Sequence, residues 1–206
     1  MRIASASSLI VVLAAAGNTA VAAEVLRSHR FDTTGIERLH IEHRAGELVL
    51  APAEGDQIEV ELRITPNQDW LDREGDVADL HLEYSVRGDR LTLRFGEDDV
   101  RSHMLVRLPR LGQLTIDAGA GEVQGTLPSM ETEVQLRAGT VDLGLDRSST
   151  GRVDLRARVG DTAVDGARNV ETSRALLVGS TSSAAGEGSH SVKAKVLAGE
   201  VSVSLR

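Results

Sequence analysis

A glycine set between two short alternating stretches recurs along the chain, and its spacing limits the fold more than any other feature. The phrase reads IDAGAGEVQGTL around Gly121, VQLRAGTVDLGL around Gly139 and KVLAGEVSVSL around Gly199. Looser copies surround Gly160 and Gly179, and an early one, IEHRAGELVL, surrounds Gly46. The last five of these glycines stand 18, 21, 19 and 20 residues apart. Strand segments repeating at about twenty residues are the signature of a stacked β architecture.

Aligning the copies shows why glycine sits at the centre. Counting back from it, positions −5, −3 and −1 are mostly apolar, as in Ile116, Ala118 and Ala120 or Val134, Leu136 and Ala138. Counting forward, +2 and +4 carry the apolar set, as in Val141 and Leu143 or Val201 and Val203. The step from −1 to +2 is odd, whereas strict alternation needs an even one, so the chain changes direction at the glycine. A tight hairpin satisfies this, and so does a corner between two faces of a solenoid. The near-constant period favours a right-handed β-solenoid in which each copy stacks on its predecessor, with small inward residues Ala118, Ala138 and Ala198 in a narrow interior. An antiparallel β-sandwich is the alternative. At Gly160 and Gly179, Thr162 and Thr181 stand where a branched aliphatic is expected, so those rungs are expected to be less regular.

The amino terminus reads as a secretory signal over residues 1–23. Arg2 precedes an apolar run from Leu9 to Ala16, and Ala20-Val21-Ala22 supplies small residues before a cut at Ala23 or Glu24. The apolar run falls short of the roughly 20 residues of a membrane span. Residues 24–206 are then expected to form one all-β domain, with strand pairs over 24–110 and regular repeats over 111–206. In the first part, residues 58–64 alternate cleanly. The stretch 80–95 reads as a hairpin turning at Gly88-Asp89, and 104–109 is a strand ending in proline. The connector 68–79, acidic and holding Trp70, is a candidate short helix.

Charge and composition exclude several functions. The chain has 31 acidic and 23 basic residues, a net charge of −8, and no basic stripe, which argues against nucleic acid as a partner. It has no cysteine, which removes disulfides, thiol nucleophiles and a lipidated anchor. His40 and His43 are three apart in a strand and so face opposite sides, unable to chelate together.

The residues after the glycines (Glu47, Glu122, Asp161 and Glu200, with Thr140 and Ser180 between) form a column in a stack. On alternate rungs, with rungs about 4.8 Å apart, their carboxylates are about 9–10 Å apart, too far to share one calcium. Asp142, Asp154 and Asp165 occupy different repeat positions and form no glycosidase pair. Every aromatic residue precedes Gly96, so the repeats lack ring platforms for sugars. Arg137, Arg156 and Arg158 point outward as a basic spot, which Asp142, Asp154 and Asp161 are near enough in sequence to balance. The stretch 180–186 is a small-residue loop or a thin rung. No catalytic, metal or cofactor residues are expected.

Taken together, 41–46, 58–64, the hairpin at Gly88, 106–109 and the glycine–acid–apolar repeats resemble the putative-adhesin, β-strand-repeat family of bacterial envelope proteins. The resemblance covers nearly all of residues 24–206. It implies a solenoid-like fold in an exported protein and brings with it no established activity and no catalytic residue set. The expectation is a non-enzymatic, adhesin-like or protein-interaction scaffold of the periplasm or cell surface. Its alternative is a β-helix protein that binds or processes polysaccharide. The final strand, from Val201 to Leu205, has nothing after it to cap it, and an open apolar edge there is expected to invite self-association.

Overall fold

The computed structural model describes residues 7–12, 24–67, 77–97, 99–175 and 179–206. Among the described residues, fourteen strands form one continuous mixed sheet. In chain order they are β1 (Ser7–Val12), β2 (Val25–Asp32), β3 (Arg38–Pro52), β4 (Gln57–Pro66), β5 (Glu83–Arg87), β6 (Arg90–Phe95) and β7 (Val100–Leu108). There follow β8 (Gln113–Thr126), β9 (Glu131–Leu145), β10 (Thr150–Val159), β11 (Thr162–Asp165), β12 (Arg168–Ala175), β13 (Gly179–Ala185) and β14 (His190–Leu205). The protein is all-β, as its alternation dictates. Of the connector 68–79, residues 68–76 with Trp70 lie outside the described residues, and Val77–Asp79 form a single 3-10 turn.

Four long strands, β3, β8, β9 and β14, run parallel and each passes through a glycine at mid-length. Register pairs Gly46 with Gly121, Gly121 with Gly139, and Gly139 with Gly199. Gly160, between β10 and β11, completes the column beside Gly199. All five glycines have φ between +120° and +139°, and at each of the last four a Cβ would lie 1.8–1.9 Å from the carbonyl oxygen of the neighbouring glycine. Glycine is therefore required twice over, for its backbone angle and for the close stacking of the chains.

The column divides the sheet into two limbs. Before it, β3 is flanked by β6 and β8, in the order β5–β6–β3–β8–β9–β14–β10–β13–β12. After it, β3 is flanked by β7 and β8, in the order β1–β2–β4–β7–β3–β8–β9–β14–β11. The inward faces of the limbs share one apolar core, with Leu39, Ile41, Leu91, Leu93 and Phe95 from the first and Leu48, Leu50, Ile58, Leu62 and Met104 from the second.

Several expectations are corrected here. The copies do not stack in sequence order: the column runs 46, 121, 139, 199, 160, because β14 inserts between β9 and β10. Consecutive solenoid coils are thus not formed, and β4–β7, β2–β4, β10–β13 and β12–β13 pair antiparallel. Gly179 is no corner, since it opens β13, which runs antiparallel to β10. Of the three alanines expected inside, only Ala118, at position −3, is buried, whereas Ala138 and Ala198, at −1, are exposed. The bend holds −2 to +1 away from the core, so the inward positions on either side are −3 and +2, still an odd step.

The strand from Val201 to Leu205 is not an open edge. It lies between β9 and β11, with Val201 opposite both Val141 and Thr162. Insertion of β14 into the sheet's interior satisfies its backbone groups on both sides, which removes the expected route to self-association. Ser7–Val12, within the expected signal, pairs antiparallel with β2, and the rest of 1–23 lies outside the described residues.

Thr162 does take an inward position, made tolerable by hydroxyl pairing. Its Oγ1 lies 2.7 Å from both Ser180 Oγ and Ser182 Oγ, and Ser182 Oγ is 3.0 Å from Thr172 Oγ1. Thr181, by contrast, is exposed. Thr162→Val leaves two buried hydroxyls short of a partner and is expected to cost about 1–3 kcal/mol in urea unfolding. The triple variant T162V/S180A/S182A is expected to cost less than the single change, since no member of the triad is then left as an orphaned hydroxyl.

Candidate functional site

A shallow groove of about 920 Å³ crosses the first limb just before the glycine column. Its lining comes from positions −4 to −2 of each bent strand, together with the end of β6 and Thr181 of β13. Even-numbered offsets point away from the core, so the groove displays the outward residues of five neighbouring strands in two rows. Row −4 reads Glu42, Asp117, Gln135, Lys195 and Arg156 across β3, β8, β9, β14 and β10. Row −2 includes Arg137, Leu197 and Arg158 on β9, β14 and β10.

Charge is graded along row −4, from Glu42 and Asp117 to Lys195 and Arg156, while row −2 carries Arg44 on β3 as well as Arg137 and Arg158. At one end the acids are engaged: Asp117 Oδ2 is 2.8 Å from His40 Nε2, and Glu42 is 3.6 Å from the Arg94 guanidinium. At the other end, Arg137, Arg156 and Arg158 make no ion pair among the described residues, and Lys195 has only Glu133, 3.5 Å away. The sequence offered Asp142, Asp154 and Asp161 as balancing charges, and the structure removes all three. Asp142 lies on the second limb and accepts from Ser202 Oγ at 2.8 Å. Asp154 pairs with Arg152 at 2.8 Å and Asp161 with Arg174 at 3.0 Å. The basic spot is therefore uncompensated. Leu197, 48% exposed, lies between Arg137 and Arg158.

Such a surface can capture anions, because each guanidinium offers a planar fork that matches a carboxylate bidentately. Two other sets of sequence candidates resolve differently. In the acid column the pairing of β3 with β8 makes Glu47 and Glu122 neighbours, and the insertion of β14 does the same for Glu200 and Asp161, with Thr140 between the pairs. The alternate-rung spacing is thus incorrect. Glu47 is nevertheless occupied, accepting from His103 Nδ1 at 2.8 Å and Gln124 Nε2 at 2.6 Å, and the His103 contact draws its carboxyl below the usual range. No group of three or more potential metal ligands occurs among the described residues. Asp154 lies on the first limb, and Asp142 and Asp165 on the second.

His40 and His43 face opposite sides, as their spacing requires. His43 is 2% exposed and its Nε2 lies 2.9 Å from Ser102 Oγ, a pair the sequence did not suggest because β7 reaches β3 from about sixty residues away. Ser102 Oγ in turn donates to the Ala45 carbonyl. Burial pushes His43 down to about 4. With both side chains buried, this pair is a structural clasp at the corner beside Gly46.

No family model matches the chain, and no curated protein matches it. Among solved structures, a putative cell adhesion protein from Clostridium sporogenes superimposes with a TM-score of 0.51, covering 99% of this chain and 100% of its own at 12% identity. The chain shares that protein's fold. Two further structures are described as putative adhesins. The one from Bacteroides fragilis gives a TM-score of 0.34 at 9% identity over 88% of this chain and 97% of its own. The one from Parabacteroides distasonis gives 0.29 at 14% identity over 86% and 69%. Among the described residues no helix is long and apolar enough to cross a membrane.

Proposed function

We propose that this chain is an exported, non-enzymatic scaffold of the bacterial cell envelope that holds a partner against its outer strand face, in the manner of an adhesin. The observation that carries this reading is the groove. It presents Arg137, Arg156 and Arg158, which make no ion pair among the described residues, and the exposed Leu197, groups that retain a ligand without transforming it. The bent sheet supports the same reading, since stacked strands present aligned rows of side chains on a rigid frame. The description of the Clostridium sporogenes protein as a putative cell adhesion protein agrees with it. Export is supported by the signal pattern over residues 1–23. Removal of that segment would take β1 away and leave β2 as the sheet's edge.

The test is fractionation of bacteria producing the full chain, with amino-terminal sequencing of the recovered protein and an attachment assay on a deletion strain. Processed protein starting at Ala23 or Glu24 in the periplasm or on the surface is expected, with reduced attachment of the deletion strain. An unprocessed chain retained in the cytoplasm would sink the proposal.

A further inference from the structure

We propose that the basic end of the groove, across β9, β14 and β10, binds an acidic polysaccharide. Its carboxylates pair with Arg137, Arg156, Arg158 and Lys195 while a sugar ring lies on Leu197. This rests on the scaffold reading above and names the class of ligand. Four cations meet on one face of a chain whose net charge is −8, three of them without an ion-pair partner among the described residues. Arg156 and Lys195 lie opposite one another on adjacent strands about 4.8 Å apart, and Arg137 and Arg158 face each other two strands apart across Leu197, so these like charges repel and a bound polyanion converts that repulsion into attraction.

The arrangement selects the ligand's shape. The rows run across the strands, along the axis of stacking, with cations one rung apart in row −4 (Lys195 and Arg156) and two rungs apart in row −2 (Arg137 and Arg158), so the partner is an extended chain whose anionic groups repeat at whole numbers of rungs. A pyranose ring is about one rung long, so a polymer with one carboxylate per sugar keeps step with the cations. An extended acidic peptide presents same-face side chains about 6.6–6.8 Å apart and falls out of step. Nor can a peptide join these strands by backbone pairing, because β9, β14 and β10 each have neighbours on both sides. Single-stranded nucleic acid is held largely by stacking on aromatic side chains, and the rings that line the groove, Phe95 and His43, are both buried. Leu197 supplies instead an aliphatic surface for the C–H face of a sugar, flanked by Arg137 and Arg158.

The experiment is affinity electrophoresis of the full chain through gels containing polygalacturonate, neutral dextran or poly-glutamate. Retardation by polygalacturonate alone is expected, and it should disappear in 1 M salt, where charges are screened beyond about 3 Å. The triple variant R137Q/R156Q/R158Q should bind about tenfold more weakly, and Leu197→Ser more weakly than the parent. Arg30→Gln, on the second limb, should bind as the parent does. If the triple variant fails to fold, the exposed pair R156Q/K195Q is read in its place, with the same loss expected.

Absence of retardation, unchanged binding by the substituted protein, or equal binding of dextran would overturn the proposal. Equal binding of poly-glutamate would overturn it in favour of an acidic protein partner. Surface attachment that persists without polygalacturonate binding overturns the ligand alone, whereas cytoplasmic retention of the unprocessed chain overturns the scaffold reading itself.

Discussion

Gly139→Ala is expected to abolish folding or to destabilise the protein by about 4–5 kcal/mol, the scale reserved for changes the surrounding backbone cannot absorb. Gly139 sits in the middle of the column, between Gly121 and Gly199. A Cβ there would lie 1.8 Å from the Gly121 carbonyl oxygen, a backbone atom that cannot rotate away. Relief requires moving β8 and β9 apart, which breaks their ladder and opens the core on both limbs. The φ of +130° adds conformational strain to the clash. Two other glycines separate the causes. Gly35, with φ +79° and open space around it, tests the angle alone, and Gly35→Ala should cost about 1–2 kcal/mol. Gly55 has neither constraint, and Gly55→Ala should be neutral or stabilise by up to about 1 kcal/mol. Urea unfolding of the three variants checks the order. A Gly139→Ala protein as stable as Gly35→Ala would show that the strands do not stack this closely.

That column was the most legible part of the sequence. The odd step across each glycine required a change of direction, and period-two alternation located β4, the β5–β6 hairpin and the two halves of each bent strand. The order of neighbours was not legible, for a physical reason. Alternation records which face of a strand is buried and says nothing of which strand lies beside it. β9, β10 and β14 bury nearly equivalent rows, namely Val134 and Leu136, Val153 and Leu155, and Val192, Ala194 and Val196. Any of them fits beside any other on periodicity alone. The groove depends on that hidden order. Only when β14 lies between β9 and β10 do Lys195 and Leu197 fall among Arg137, Arg156 and Arg158. Sequence proximity misled in the opposite sense for Asp142 and Asp161, which sit close to those arginines in the chain and are held elsewhere by Ser202 and Arg174.

Stability is expected to fall by about 3 kcal/mol as the pH is lowered from 6.5 to 4, and His43 is the main cause. Ser102 Oγ has one hydrogen, which it donates to the Ala45 carbonyl, so at the 2.9 Å contact with His43 the imidazole Nε2–H must be the donor. The ring is thus held neutral, packed near Phe95, and burial lowers its pKa from 6.5 to about 4. Between those values the unfolded chain binds a proton that the folded chain does not. Stability is accordingly full above about pH 6.5, declines as pH falls, and levels off for this group below about 4. A shift of that size at about 1.4 kcal/mol per unit gives the stated loss. His29, depressed by its own burial and by Arg27, adds to the decline in the same direction. The carboxylates of Glu47 and Glu131, lowered mainly by hydrogen bonds from His103 and Ser191, lose their contribution only below about pH 4.5. Urea unfolding between about pH 7.5 and 4.5 therefore isolates the histidines. His43→Gln keeps a donor for Ser102 and removes the titration. Its stability should vary much less over this window, with His29 supplying the remaining slope. An unchanged pH profile in His43→Gln would show that the corner clasp is not what makes the fold sensitive to acid.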